Sequence, residues 1–146
     1  MKHLPCLLPE FVMSEPTPAA APVRSYRDLR VWQQAMDLVE ATYRATQQFP
    51  TTERYGLITQ LRRAAVSVAS NIAEGHARSL GDYLRHLLIS GGSLTEMETQ
   101  FIVSTRLGFL PVAESEALLQ SCDQVGRMLG GLRKSLRARL SRAPSP

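Results

Sequence analysis

Lysine is nearly missing from this chain: only Lys2 and Lys134 accompany the arginines among its 17 basic residues. Neither follows a glycine-rich loop, so the usual phosphate-cradling nucleotide motif is absent. Cysteine is as scarce. Cys6 and Cys122 are too few for a disulfide framework or a four-ligand zinc site, which points to a reducing, cytoplasmic setting. No apolar run reaches the roughly 20 residues that a spanning helix needs, so no membrane partner is expected. The three histidines, His3, His76 and His86, each lack a carboxylate three residues earlier, which excludes the paired Glu-x-x-His pattern of a di-iron bundle. Asp82 and His86 share a helix face, but two ligands do not specify a metal. No catalytic residue, metal or cofactor is expected, and the chain reads as a non-enzyme.

What is present is ordinary globular material. The 146 residues are 44% hydrophobic and 21% charged, enough for one self-sufficient core and too apolar for a disordered chain. The net charge of +4 is unevenly placed. From residue 124 onward the chain carries Arg127, Arg133, Lys134, Arg137, Arg139 and Arg142 and no acid, whereas the preceding residues are slightly acidic in balance. Arginine is the cation suited to forked recognition of phosphate and carboxylate. A basic helix end also complements the helix dipole, which is the plainer explanation.

Residues 1–25 read as a disordered tail, since Pro5, Pro9, Pro16, Pro18 and Pro22 alternate with small residues and show no amphipathic period. The pattern does not resemble a secretory signal, and Met13 is a second candidate for the translation start beside Met1. Residues 26–140 then carry four helical periods, and residues 141–146 a short C-terminal tail. Leu29, Trp32, Met36, Val39 and Tyr43 define the first helix, which closes near Phe49-Pro50. Leu57, Leu61, Ala64, Ala65, Val68 and Ile72 define the second, with Gly75 as a left-handed stop. The third runs from a Ser79/Asp82 cap through Leu84, Leu87, Gly91, Leu94, Glu98, Phe101 and Thr105 to Gly108. The fourth starts near Pro111 and follows Leu118, Cys122, Val125, Leu129, Leu132 and Leu136. Short connections between long helices predict an all-α, antiparallel up-and-down four-helix bundle.

Three features exceed what plain packing requires. Gln60, Arg63, Ser67, Asn71 and Glu74 form a polar stripe beside the apolar face of the second helix. Gly91 and Gly92 interrupt the third helix, where each glycine costs about 1 kcal/mol against alanine. Close helix packing within the bundle is the expected compensation, and a subunit interface or ligand cleft is the alternative. Glu98 falls on the apolar line, so it must take up a proton or find a cationic partner, for which Arg62 or Arg63 is the candidate.

The run from Gln60 to Gly75, QLRRAAVSVASNIAEG, resembles the signature of the four-helix bundle family encoded within intervening sequences of bacterial 23S ribosomal RNA genes. Leu29-x-x-Trp32, Phe49-Pro50, Glu53-x-Tyr55-Gly56-Leu57 and the segment Gly92 to Gln100 add to the resemblance, which covers about residues 26 to 137. Val68 replaces a common isoleucine and Ala69 a frequent proline or other small residue, leaving the stripe intact. The resemblance implies a left-handed bundle that assembles as a homopentamer. It also implies a distant likeness to the accessory protein of diversity-generating retroelements, which is thought to bind nucleic acid and a reverse transcriptase.

Two functions follow as expectations. In the first, an oligomer binds RNA or DNA through Arg133, Lys134, Arg137 and Arg139, with Arg62, Arg63 and Arg78 adding to a basic patch. The fourth helix has no aromatic among its cations, so such binding would be sequence-independent and salt-sensitive. In the second, the chain is a protein-interaction or structural homo-oligomer in which Gln60, Ser67, Asn71, Glu74, Gly75, Gly91, Gly92 and Glu98 serve packing and subunit contacts.

Overall fold

A computed structural model describes residues 21–144. Most of the expected N-terminal tail, with Met13, lies outside the described residues. A short 3-10 turn at Tyr26–Asp28 leads into α1 (Arg30–Thr46). A second 3-10 turn, Thr51–Glu53, precedes α2 (Leu57–His76), followed by α3 (Leu80–Arg106) and α4 (Val112–Arg142). The described residues contain no strand. Each helix packs against its sequence neighbour and α1 closes against α4, so the four form an up-and-down ring around one core.

Local chemistry sets the helix ends. Ser25 and Asp28 make a reciprocal capping box at the first turn, and Tyr26 places its ring edge-on to Trp32 at 5.3 Å. The Glu53 carboxylate accepts the Leu57 N–H at 3.0 Å, supplying the cap that Gly56 lacks. Ser79 Oγ accepts the Asp82 N–H at 3.3 Å. Pro111 caps α4 from just outside it rather than lying within its first turn. Gly108, at φ +77°, is the one left-handed residue among those described, and it turns the chain from α3 to α4. Phe49 and Phe109, from the two connections at this end, meet at 6.0 Å and close it.

The core follows the expected stripes in α2 and α4; in α3 Leu87, Leu94 and Phe101 are buried as expected, but Tyr83, Ser90, Met97, Gln100 and Ser104 complete the buried face and Leu84, Gly91, Glu98 and Thr105 stand at its edge. Leu61, Val68, Ile72, Leu87, Met97, Phe101, Cys122 and Val125 are almost fully enclosed. In α1 the expected stripe is one position out. Val31, Ala35, Leu38, Thr42 and Ala45 face the core, while Met36 and Tyr43 are largely exposed. Two threonines caused the error: Thr42 and Thr46 are buried because their hydroxyls donate to the Leu38 and Thr42 carbonyls at 2.7 and 2.8 Å.

Gly75 is not a left-handed stop. It lies within α2, where an added Cβ would come within 2.8 Å of His86 Cβ and of Tyr83 Cδ2, so its role is close approach of α2 to α3. Gly91 and Gly92 are the reverse case. A Cβ at either would meet nothing within 4 Å, so packing within this subunit does not offset their helix cost.

Candidate nucleic-acid interface

The polar stripe of α2 meets a matching stripe on α3. Gln60 Oε1 accepts from Gln100 Nε2 at 3.3 Å, the Ser67 and Ser93 hydroxyls meet at 2.8 Å, and Asn71 Oδ1 lies 2.9 Å from His86 Nδ1. Asn71 also donates to the Ser67 carbonyl at 2.9 Å, which fixes its amide orientation. His86 Nδ1 must therefore carry the proton it shares with Asn71. Beneath this seam, Ser90 Oγ donates to the Val68 carbonyl at 2.8 Å across the alanine-rich face. Asn71 and Ser67 are thus structural partners of α3. Arg63 and Glu74, on the same stripe, point to solvent and take no part. The α3 partners Ser93, Gln100 and His86 carried no distinctive spacing; the signal was the α2 stripe, which needed a counterpart.

The ion pair expected for Glu98 does not form. Glu98 is half-buried and near Cys122 on α4, where its charge and, more strongly, burial push the Cys122 thiol up to about 12. Arg62 lies against α1 instead. Its Nε donates to Thr46 Oγ1 at 2.9 Å and its guanidinium sits 4.5 Å above the Tyr43 ring. The antiparallel order of α2 and α3 was right, but Glu98 lies on the side of α3 that faces α4, not α2.

The basic residues gather at one end. Gln48 Nε2 donates to Glu114 at 2.6 Å near one end of the α1–α4 interface, while Arg30, Gln34, Arg127 and Met128 line a cleft further along it. The end of α4 therefore lies at the start of α1 and α3 and the end of α2, where Arg24, Arg27, Arg78 and Arg85 are also exposed. Leu136 is the last buried residue of α4. Beyond it Arg137, Arg139 and Arg142 are exposed, as is Lys134 one turn earlier. Arg133 is different: it is half-buried, with its Nε enclosed and unpartnered. The two ion pairs among the described residues are Arg44–Glu40 and Arg127–Asp123, so none of these end residues is neutralised by one. Arg62 and Arg63 lie toward the opposite end and do not join this patch.

The described residues hold no group of three or more His, Cys, Asp or Glu side chains placed for a metal, and no helix long and apolar enough to cross a membrane. Fold and surface together define a four-helix bundle with one basic end. Residues 27–131 match the sequence profile of the family described as 23S rRNA-intervening sequence protein, and the chain belongs to that family. Its fold is similar to that of a protein of unknown function from the S23 ribosomal protein family of Bacteroides thetaiotaomicron. That similarity has a TM-score of 0.64 at 18% identity and covers 71% of this chain and 98% of the other. None of the curated proteins matches the chain.

Proposed function

We infer that this protein is a non-enzymatic, self-associating bundle that binds RNA through the basic end of α4. The observation that carries the reading is the run Lys134, Arg137, Arg139 and Arg142, exposed and free of acid, its three arginines projecting past the last buried residue. A purely structural helix end needs no such density of arginine. Arg27, Arg78 and Arg85 share that end and extend the positive surface, which favours a polyanion over a single charged side chain. The family description places ribosomal RNA first among the probes. Without aromatics among these cations, recognition rests on phosphates, and self-association, as a ring of five or otherwise, multiplies weak contacts.

A second reading, a protein scaffold, is favoured by one feature. The outer face of α3 exposes Leu88, Ile89, Ile102 and Val103 around the open Gly92. The experiment that separates the two is the double charge reversal Arg137→Glu/Arg139→Glu, which spares the half-buried Arg133. Loss of binding to a ribosomal RNA fragment with the oligomer intact supports the RNA reading. Unchanged binding, or none by the parent protein at low salt, removes it.

A further inference from the structure

Arg62 ties α2 to α1 and is thereby held in one orientation with part of its guanidinium facing a groove. Its Nε bond to Thr46 and its stack on Tyr43 fix the guanidinium plane, and among the described residues no carboxylate pairs with it. One Nη donates to the Tyr43 carbonyl at 3.5 Å, and without a counter-ion the remaining Nη hydrogens are left free in a set direction, the pre-organised state that forked anion recognition requires. Two clefts adjoin at this side chain. One, of about 350 Å³, is walled by Phe49, Ile58, Thr51 and Arg54. The other, of about 550 Å³, is walled by Tyr43, Val66, Thr59 and Arg63. Neither has an acidic wall, and each offers an apolar surface beside the cation. The only acid close in sequence, Glu53, is committed to capping α2.

We propose that this groove between α1 and α2 binds a nucleotide, with the phosphate on Arg62, flanked by Arg54 and Arg63, and the base or sugar against the adjoining apolar wall. The site is separate from the basic end of α4, so the RNA reading and this one stand or fall independently. Arg62 belongs to both clefts, Arg54 adds a cation to the first and Arg63 to the second, and the nearest acid on the Arg63 side, Glu96, lines a separate cleft; phosphate suits this set, and the apolar walls and a fixed guanidinium plane, on which a flat ring can stack, extend the ligand beyond phosphate alone.

The test is a titration of the full-length protein with uridine monophosphate, inorganic phosphate and oligouridine with or without a 5′-phosphate, following the Arg62 Nε–Hε NMR signal. The expected result is saturable movement of that signal with uridine monophosphate, more weakly with inorganic phosphate. A preference for the 5′-phosphorylated strand assigns the nucleotide to a strand end, and equal or tighter binding of the free mononucleotide assigns it to a soluble ligand. Arg62→Lys, which keeps charge but loses the fork, is expected to weaken binding about tenfold. Arg63→Gln, which removes an exposed charge, is expected to weaken it about threefold. No movement at millimolar ligand overturns the proposal, as does equal affinity for phosphate and nucleotide. Movement that depends on protein concentration alone also overturns it, because a second copy then covers the groove.

Discussion

The α2–α3 interface and the last turns of α4 are opposite solutions to helix design. Along α2 and α3 the side chains are small, the helices approach closely at Gly75, and the seam is tied by paired polar groups, with Gln100 Oε1 and the Tyr83 hydroxyl left without partners. Along α4 beyond Leu136 nothing is packed and like charges crowd together. The first region lowers the energy of the fold; the second does not, since like charges repel. Residues that do not serve the fold are where function is sought.

Substitutions break this comparison in graded steps. Gly75→Leu has the largest expected effect, because its side chain has no room against Tyr83 and His86; a loss of about 3 kcal/mol or failure to fold is expected in denaturant titration. Asn71→Leu strands His86 Nδ1, while the Ser67 carbonyl keeps its helical N–H partner, at a cost of about 1 to 2 kcal/mol by the same measurement. Glu98→Gln is expected to change stability by no more than about 0.5 kcal/mol, since no ion pair is lost. Arg137→Glu/Arg139→Glu is expected to stay within the same small range while affecting nucleic-acid binding, which is the behaviour that distinguishes the two regions.

Cys122 provides a pH-dependent check on the core. Folding raises its pKa from 9.0 to about 12, first through burial and then through the Glu98 charge. The unfolded chain therefore releases this proton first as pH rises. The stabilising contribution is complete below pH 9 and falls away between pH 9 and about 12. Burial raises Tyr83 as well and steepens the same alkaline loss. Cys122→Ala is expected to flatten that slope in thermal melts, and Glu98→Gln to flatten it less.

The bundle was legible because its apolar periods are long, regular and bounded by recognisable caps. The α1 stripe was misplaced because hydropathy treats threonine as polar, whereas Thr42 and Thr46 satisfy their hydroxyls on their own helix and enter the core. The seam was half legible: Asn71 and Ser67 stood out, but their partners depend on interhelical register, which one helix does not contain. The same limit applies to Glu98, whose spacing placed it near the core without saying which neighbour it faced. Gly75 and Gly92 look alike in sequence, and only the packing separates a glycine required by close approach from one on an open face. The basic end was visible as a run of arginines, but its enlargement by Arg27, Arg78 and Arg85 is a property of the topology.

The most direct measurement is RNA affinity as a function of salt, with nuclease-treated full-length protein, a ribosomal RNA fragment and the Arg137→Glu/Arg139→Glu variant alongside. The account predicts that log affinity falls linearly and steeply with log salt for the parent, and that the variant binds more weakly with a shallower slope at unchanged oligomer size. Equal affinity and equal slope for the two proteins would contradict it.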